Sequence, residues 1–534
     1  MKVHKCFLLF ALTGAVFLGS ASQSASADSR PNVLFLAVDD LNDWVGALGG
    51  HPQAKTPHLD RLCSQSILFR NAHCAAPVCA ASRHALLSGL RPSTTGWYSN
   101  TSRPKSRKEY ERALGETAPM PTHFKYNGYK TMAAGKIFHT GTSDVKGYDY
   151  WDEARPKYRW PKRLAERGHG YQGKNGGHFY PFPRDGGAIY QKYKRGVKGQ
   201  SLCWGALEKS DMPPEGMPDE QVAAWAVERL KQKHDKPFFL AVGFVRPHVP
   251  YTAPKEFFDL YPMKDIIIPK VPDDEMDDIP LLGKVMAYGI LPGGDHWNVL
   301  NISLTYWREL ARAYLACVSF VDAQVGKVLD ALEASPYADN TIVVLWSDHG
   351  QHLGEKRHWR KQALWEEATR VPLAIRLPRS AGGGRVCDQP VNLIDIYPTL
   401  IELCGLPPVK GLEGTSLAPQ LRDPAAPRTA PAVTTWYYRN HAVRTLNFRY
   451  IRYRDGTEEL YDHRIDPNER HNLAEDPRYA RIKERLAAFL PKKNVVPKSM
   501  KSDGLDPLGQ KAQELLRKGI PDWLGKIPQK HINN

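Results

Sequence analysis

Two polar doublets and one cysteine mark where chemistry could occur in this chain. Asp39-Asp40 ends the apolar run that starts at Asn32, and Asp348-His349 follows the run Thr341-Ile342-Val343-Val344-Leu345-Trp346-Ser347. Adjacent carboxylates repel one another unless a cation lies between them. Asp39, Asp40 and Asp348, with His349 as a ligand or as a neighbour of ligands, therefore read as a nest for a hard cation, Ca2+ ahead of Mg2+. A solvated turn is the plain alternative for Asp39-Asp40 taken alone. Cys79 follows Pro77 and precedes the apolar Ala85-Leu86-Leu87, with Gly89 as a stop, a pattern that places it at a helix N-terminus. Free N–H groups and the helix dipole would hold a thiolate, alkoxide or bound oxyanion there, and Arg83 falls one turn on, over the same face. One turn thus offers a nucleophile and a permanent cation, although a lone cysteine is usually a buried apolar thiol.

The elements that must position these groups are legible as buried strands. Both runs are almost wholly apolar, as expected of strands covered on both faces of a sheet, and ligands in open α/β sheets bind at the carboxyl edge. A third strand, from Lys130, ends at Gly135 and presents Lys136 and His139; a fourth, Pro237 to Phe244, leads into Arg246-Pro247-His248. Helical periodicity runs from Asp219 to Leu230 and from Leu310 to Leu332. Residues 258–300, rich in Asp, Pro and Gly, read as loops. Tyr148 to Lys198, basic and aromatic with little periodicity, reads as an insertion over the sheet or a surface loop.

Composition narrows the setting. The 534 residues, 42% of them hydrophobic, suffice for one large α/β domain and a smaller partner. A basic start, a short apolar run and Ala25-Ser26-Ala27 before Asp28 mark residues 1–27 as a signal peptide, so the protein is expected to be exported, periplasmic or secreted, without a stable membrane anchor. The eight cysteines are too irregularly spaced for a disulfide framework. A formal charge of +16 favours polyanions. Export makes an acidic polysaccharide a better partner than nucleic acid.

The stretch Cys79-Ala80-Ala81-Ser82-Arg83 followed by Ser88-Gly89 resembles the signature of the formylglycine-dependent sulfatases, Cys-x-Pro-Ser-Arg and a later Thr-Gly or Ser-Gly, with Ala81 in the place of the commoner Pro. Lys55-Thr56-Pro57-His58-Leu59-Asp60-Arg61-Leu62, Arg91-Pro92-Ser93-Thr94-Thr95-Gly96 and Leu393-Ile394-Asp395-Ile396-Tyr397-Pro398 extend the resemblance, which covers about residues 31 to 480. It is strongest toward the iduronate-2-sulfatase branch, in which His stands at 349 and one extra residue separates Lys136 from His139. The resemblance implies an alkaline-phosphatase-like α/β sandwich with a large central mixed sheet over residues 28–410, and a smaller C-terminal α+β subdomain over 411–534. It implies that a maturation enzyme converts Cys79 to formylglycine, and that Asp39, Asp40, residue 79, Asp348 and His349 hold calcium. Arg83, Lys136 and Lys361 would neutralise the sulfate, His248 would stand on the leaving-group side, and His139 would take the proton that starts sulfate elimination. The implied substrate is a sulfated saccharide, with iduronate 2-sulfate first and other sulfated polysaccharides open. A phosphoester or phosphonate hydrolase of the same fold is the rival reading. A glycan-binding protein without catalysis is another, should Cys79 stay unmodified.

Overall fold

Asn32–Asp39 (β1) can be buried on both faces because its side chains alternate about the backbone, and all eight residues are buried. Leu34, Leu36 and Val38 enter one core layer, while Val33, Phe35 and Ala37 enter the other. The computed structural model that shows this describes residues 30–155, 204–209, 214–288, 294–497 and 507–519, with Leu202, Met212 and Met500. The signal segment and the basic insertion beyond Arg155 lie outside the described residues.

β1 is joined by Ile67–Phe69 (β2), Lys130–Gly135 (β3), Glu153–Arg155 (β4), Phe238–Pro247 (β5), Thr341–Ser347 (β6), Leu373–Arg376 (β7) and Arg385–Cys387 (β8) in the order β8-β2-β7-β6-β1-β5-β3-β4. Among these eight, β7 alone runs against its neighbours, and the other pairings are parallel. The sheet is therefore mixed, as expected. Parallel pairing needs crossovers, and these supply the covering layers. Pro218–Leu230 and the 30-residue helix Leu304–Glu333 cover one face. Cys79–Ser88, Met120–Tyr126 and Ile396–Leu403 cover the other. The carboxyl ends of β1, β3, β5 and β6 consequently share one edge.

Residues 258–300 depart from the expected loops. Leu281–Tyr288 and Asp295–Ile302 are helices, and Leu282, Val285 and Met286 share a core cluster with Trp365 and Trp436. Each is only two turns long, and Pro280, Gly283 and Gly294 in and around them obscured the period. Among the described residues Cys63, Cys74, Cys79, Cys317, Cys387 and Cys404 are buried and unpaired. Among the described residues, no helix is long and apolar enough to cross a membrane.

Toward the C-terminus, Ala432–Thr435, His441–Arg444, Phe448–Arg452 and Glu458–Asp462 form a four-stranded antiparallel sheet. Val443, Tyr450 and Leu460 pack with Leu486 of the helix Ala480–Ala487, and Ala442, Ile451 and Tyr461 pack toward Leu364 and Trp365 of the larger unit. An ion-pair seam crosses the same contact. Glu366 meets Arg444 at 3.1 Å and also pairs with Arg449, which binds Glu469 in turn. Burial opposes the charge of Glu366, but Arg444 and Arg449 outweigh it and hold the carboxyl well below its ordinary value. Its stabilising contribution is thus present above the unfolded carboxyl value and is lost as the pH falls through the lowered one. Glu366→Gln, which takes the carboxylate away from Arg444 and leaves Arg449 with Glu469 as its one charged partner in the seam, is expected to cost about 3–5 kcal/mol in urea unfolding and to flatten the acid limb of stability against pH. An unchanged acid limb would show that the seam carries no such energy.

Candidate active site

β1 and β6 are parallel neighbours, with Val38 opposite Ser347, so the next residues on each strand, Asp39-Asp40 and Asp348-His349, must converge. Asp40 adopts φ 61°, which turns the chain sharply out of the sheet. Its N–H donates to Asp348 Oδ1 at 3.1 Å, the Leu41 N–H donates to Ser347 Oγ at 3.0 Å, and the Tyr314 hydroxyl donates to the Asp40 carbonyl at 2.8 Å. Gly350 permits the exit from β6, because a Cβ there would lie 2.0 Å from the Glu367 carbonyl oxygen. Gly135 likewise lets β3 end against β5: its φ is 76°, a Cβ would lie 2.0 Å from the Gly243 oxygen, and the Lys136 N–H donates to that oxygen at 2.9 Å.

Cys79 begins the helix Cys79–Ser88, as predicted, with Gly89 in the left-handed conformation at its end. No side chain of the flanking Val78 caps it. Instead the Ala80 N–H donates to Asn100 Oδ1 at 2.9 Å, and the Ser82 hydroxyl reaches back to the Asp348 carbonyl at 2.5 Å. Arg83, fully buried, ties the helix to three strand ends. Its Nε donates to Asp348 Oδ2 at 2.8 Å, Nη2 to Asp39 Oδ1 at 3.1 Å, and Nη1 to the carbonyls of Lys136 and, at 3.1 Å, Ile137. The sequence suggested a cation aimed at sulfate. The structure gives Arg83 the task of holding the carboxylates and the β3 exit in register.

Around this hub the remaining candidates converge. Lys136 pairs with Asp39, and Lys361 Nζ lies 2.6 and 2.7 Å from the two Asp40 oxygens. Burial opposes ionisation of Asp39, but Lys136, His248 and Arg83 outweigh it and hold the group well below its ordinary value. At Asp40 burial prevails over Lys361 and the value is raised. His349 Nδ1 lies 3.0 Å from the Gly350 carbonyl, which can only accept, so the proton sits on Nδ1 and the Nε2 lone pair points inward. That nitrogen is 3.3 Å from Cys79 Sγ, 3.5 Å from Asp40 Oδ1 and 3.6 Å from Asp348 Oδ2. Asp39, Asp40, Cys79 and His349 offer ligand atoms all within 4.8 Å of one another. This donor set of carboxylates and one imidazole fits a hard divalent cation, with Asp348 beside it.

The thiol is the misfit in that set. Burial pushes Cys79 up to about 12 despite Lys136 and Lys361, so the expectation of a thiolate at the helix N-terminus does not hold. The helix end supplies only partial charges, and the fully desolvated position outweighs them. An oxygen-bearing side chain at 79 would suit both the cation and the lysines.

His139 is half-buried. Burial, then Lys136, lowers it to about 3, so it is a neutral proton acceptor at working pH, and its Nδ1 has no partner among the described residues. Its loop is built by Asp144, which accepts the N–H groups of His139 at 3.1 Å and Thr140 at 2.7 Å and meets His84 Nε2 at 3.1 Å. His248 is buried, and its Nδ1 lies 2.6 Å from the Val249 carbonyl, which fixes the proton there; burial and Lys361 push the imidazole well below its ordinary value. Arg246 turns into its own loop: Nε donates to the Thr252 carbonyl at 2.6 Å and Nη1 to the His248 carbonyl at 3.2 Å.

Sequence reasoning missed three positioning residues. Asn100 caps the catalytic helix and Asp144 builds the His139 loop. Asp219 is the third: β5 bulges where Val38 faces Phe244 but Asp39 faces Pro247, and the buried Asp219 accepts the Val245 and Arg246 N–H groups at 2.8 and 2.9 Å. Only Asp144, five residues beyond His139, had a spacing that could have flagged it.

The comparisons with known proteins agree with this geometry. The family model described as Sulfatase matches residues 31–406, and one described as N-sulphoglucosamine sulphohydrolase, C-terminal, matches 354–495. The chain therefore belongs to the sulfatase family, enzymes that hydrolyse sulfate esters. It is 41% identical over 471 residues to a sulfatase of Formosa agariphila, covering 87% of each chain. It is 33% identical over 436 residues to the iduronate 2-sulfatase of Mus musculus, covering 73% of this chain and 72% of the other. A solved 2-O GAG sulfatase superposes with a TM-score of 0.63 at 22% identity, covering 92% of this chain and 94% of that one, which shows the shared fold.

Two substitutions probe the scaffold. Arg83→Lys keeps the charge but cannot reach two carboxylates and two carbonyls together, so sulfate release should fall by at least about 100-fold with a lowered melting temperature. Asp219→Asn sets an amide donor against a backbone donor under the His248 loop. It should cut kcat about tenfold or more on an alkyl sugar sulfate and less on an activated aryl sulfate; equal losses would contradict a leaving-group role for that loop.

Proposed function

We propose that the protein removes the 2-O-sulfate from iduronate-type uronic acids of glycosaminoglycans, or from another sulfated polysaccharide, after export and maturation of Cys79 to formylglycine. The observation that carries the reading is the position of Cys79: a fully buried thiol, 3.3 Å from an inward-pointing imidazole nitrogen and in the middle of hard donors. Formylglycine, once formed there and hydrated, supplies one hydroxyl to attack sulfur and a second whose loss of a proton expels the sulfate. Asp39, Asp40, Asp348 and His349 would hold Ca2+, which adds positive charge where the sulfate oxygens lie.

The chain's own groups do the rest. Asp39, Asp40 and Asp348 already face Arg83, Lys136 and Lys361 in equal number, so a divalent cation leaves the pocket net positive toward an anionic ester. Lys136 and Lys361 bind the sulfate oxygens. Burial opposes the charge of Lys361, but Asp40 outweighs it and keeps the ammonium firmly protonated. His248, with its proton fixed on Nδ1, offers Nε2 as an acceptor to a sugar hydroxyl beside the ester, so the proton for the departing sugar oxygen comes from Lys361. His139, neutral, takes the proton whose removal releases sulfate. Specificity for a 2-O-sulfated uronate is supported by the iduronate 2-sulfatase relative, by His at 349, and by the basic charge of the chain.

The mass of the tryptic peptide spanning residue 79, from protein co-produced with a maturation enzyme, should be about 18 Da below that of the thiol form. The matured enzyme should lose activity to a chelator and regain it with Ca2+. It should favour 2-O-sulfated uronates over 6-O-sulfated glucosamine by about 100-fold in kcat/KM. An unmodified Cys79 in active, natively matured protein would sink the formylglycine mechanism.

A further inference from the structure

Next to the catalytic helix lies a cleft of about 650 Å3, walled by the loop after Pro92–Thr95, by the helix Arg107–Leu114 and by residues 493–497. The C-terminal wall is fixed, since the Val495 N–H donates to the Ser93 carbonyl at 2.8 Å and the Tyr98 hydroxyl donates to the Val495 carbonyl at 2.9 Å. Arg103, Lys105, Arg112 and Lys493 line it, and none of the four is ion-paired among the described residues, in contrast to Lys136 and Lys361. Glu109 is the acidic residue of the lining, and its carboxylate accepts the Lys105 backbone N–H at 3.0 Å. The cleft is therefore a basic one, with Thr101 and Ser102 as further polar groups.

Two contacts tie this cleft to the chemistry. Arg103 Nη1 donates to the Asn100 carbonyl at 2.6 Å, and Asn100 is the residue whose side chain caps the Ala80 N–H beside Cys79. The charge of Arg103 also reaches His139.

We propose that this cleft is an anion subsite that receives a second sulfate or carboxylate group of the same saccharide chain, beyond the sugar whose ester is cleaved. The inference rests on the sulfatase reading of the nest and extends it from a single sulfated sugar to a polyanionic chain. Cations spaced across an open cleft, Lys105, Arg112 and Lys493 exposed and Arg103 half-buried, suit such a ligand: they attract and orient several anionic groups without demanding one rigid fit. Aryl sulfates and monosulfated monosaccharides would leave the cleft empty.

The test compares the full-length matured enzyme with its Lys105→Glu/Lys493→Glu variant, both positions being exposed and away from the nest. On a heparin-derived hexasaccharide, kcat/KM should fall about tenfold or more, through KM, with a loss that shrinks in high salt. On a monosulfated aryl ester, kcat/KM should stay within about twofold. Calorimetric binding of the hexasaccharide, with Cys79→Ala in both proteins to prevent turnover, should weaken in parallel. Equal losses on both esters, or hexasaccharide binding undiminished by charge reversal, overturn the subsite. Absence of sulfate release from every ester, with binding still weakened by charge reversal, would overturn the hydrolase reading and uphold the cleft.

Discussion

The structure depends on one buried guanidinium. Taking an arginine out of water costs several kcal/mol on the order of magnitude usual for ions, and the position is tolerable only where nearly every donor is matched. Arg83 meets that demand with Asp39, Asp348 and two carbonyls at the exit of β3. Each partner comes from a different strand, so satisfying the charge fixes the relative positions of helix, β1, β3 and β6 in one step. The same constraint explains why every residue of Cys79–Ser88 is buried despite its polar members. Ser82 and Arg83 are held by strand ends, and the apolar Leu86 and Leu87 fill the layer behind them.

Charge matching also separates the two aspartates that look equivalent in sequence. Asp39 sits between Arg83 and Lys136 and stays ionised, whereas Asp40 relies on Lys361 against burial and its acidic neighbours. Permanent cations, rather than solvent, hold the three carboxylates together. Lysine suits the two outer positions because a single flexible ammonium can exchange one oxygen partner for another, while the rigid fork of arginine suits the central one.

The fold and the principal site residues were legible because both rest on local patterns. β1 and β6 are apolar runs ending in carboxylates, and Pro77 and Gly89 bracket a helix. Parallel pairing then brings those ends together almost by necessity. What was illegible depends on contacts across the chain. Asn100 and Asp219 act through backbone N–H groups 20 or more residues away, and nothing in their local sequence announces such a partner. The thiolate expectation failed for a related reason. A helix N-terminus is visible in sequence, but the burial that decides the cysteine's ionisation is created by segments far from it in the chain.

Chemistry and selectivity have separate origins in this chain. The nest is built on strand ends locked by Arg83, Gly135 and Gly350, where a shift of an ångström would unpair buried charges. The basic cleft is built from a loop, a short surface helix and the segment 493–497, where charge can change without touching the hub. Asn100 lies on the seam: its side chain belongs to the catalytic helix and its carbonyl to Arg103. On the proposed subsite, substitutions among the outer cations redirect binding of polyanionic chains while the sulfur chemistry stays intact. Substitutions at the hub cannot, because four of the five Arg83 N–H groups are already committed to strand ends.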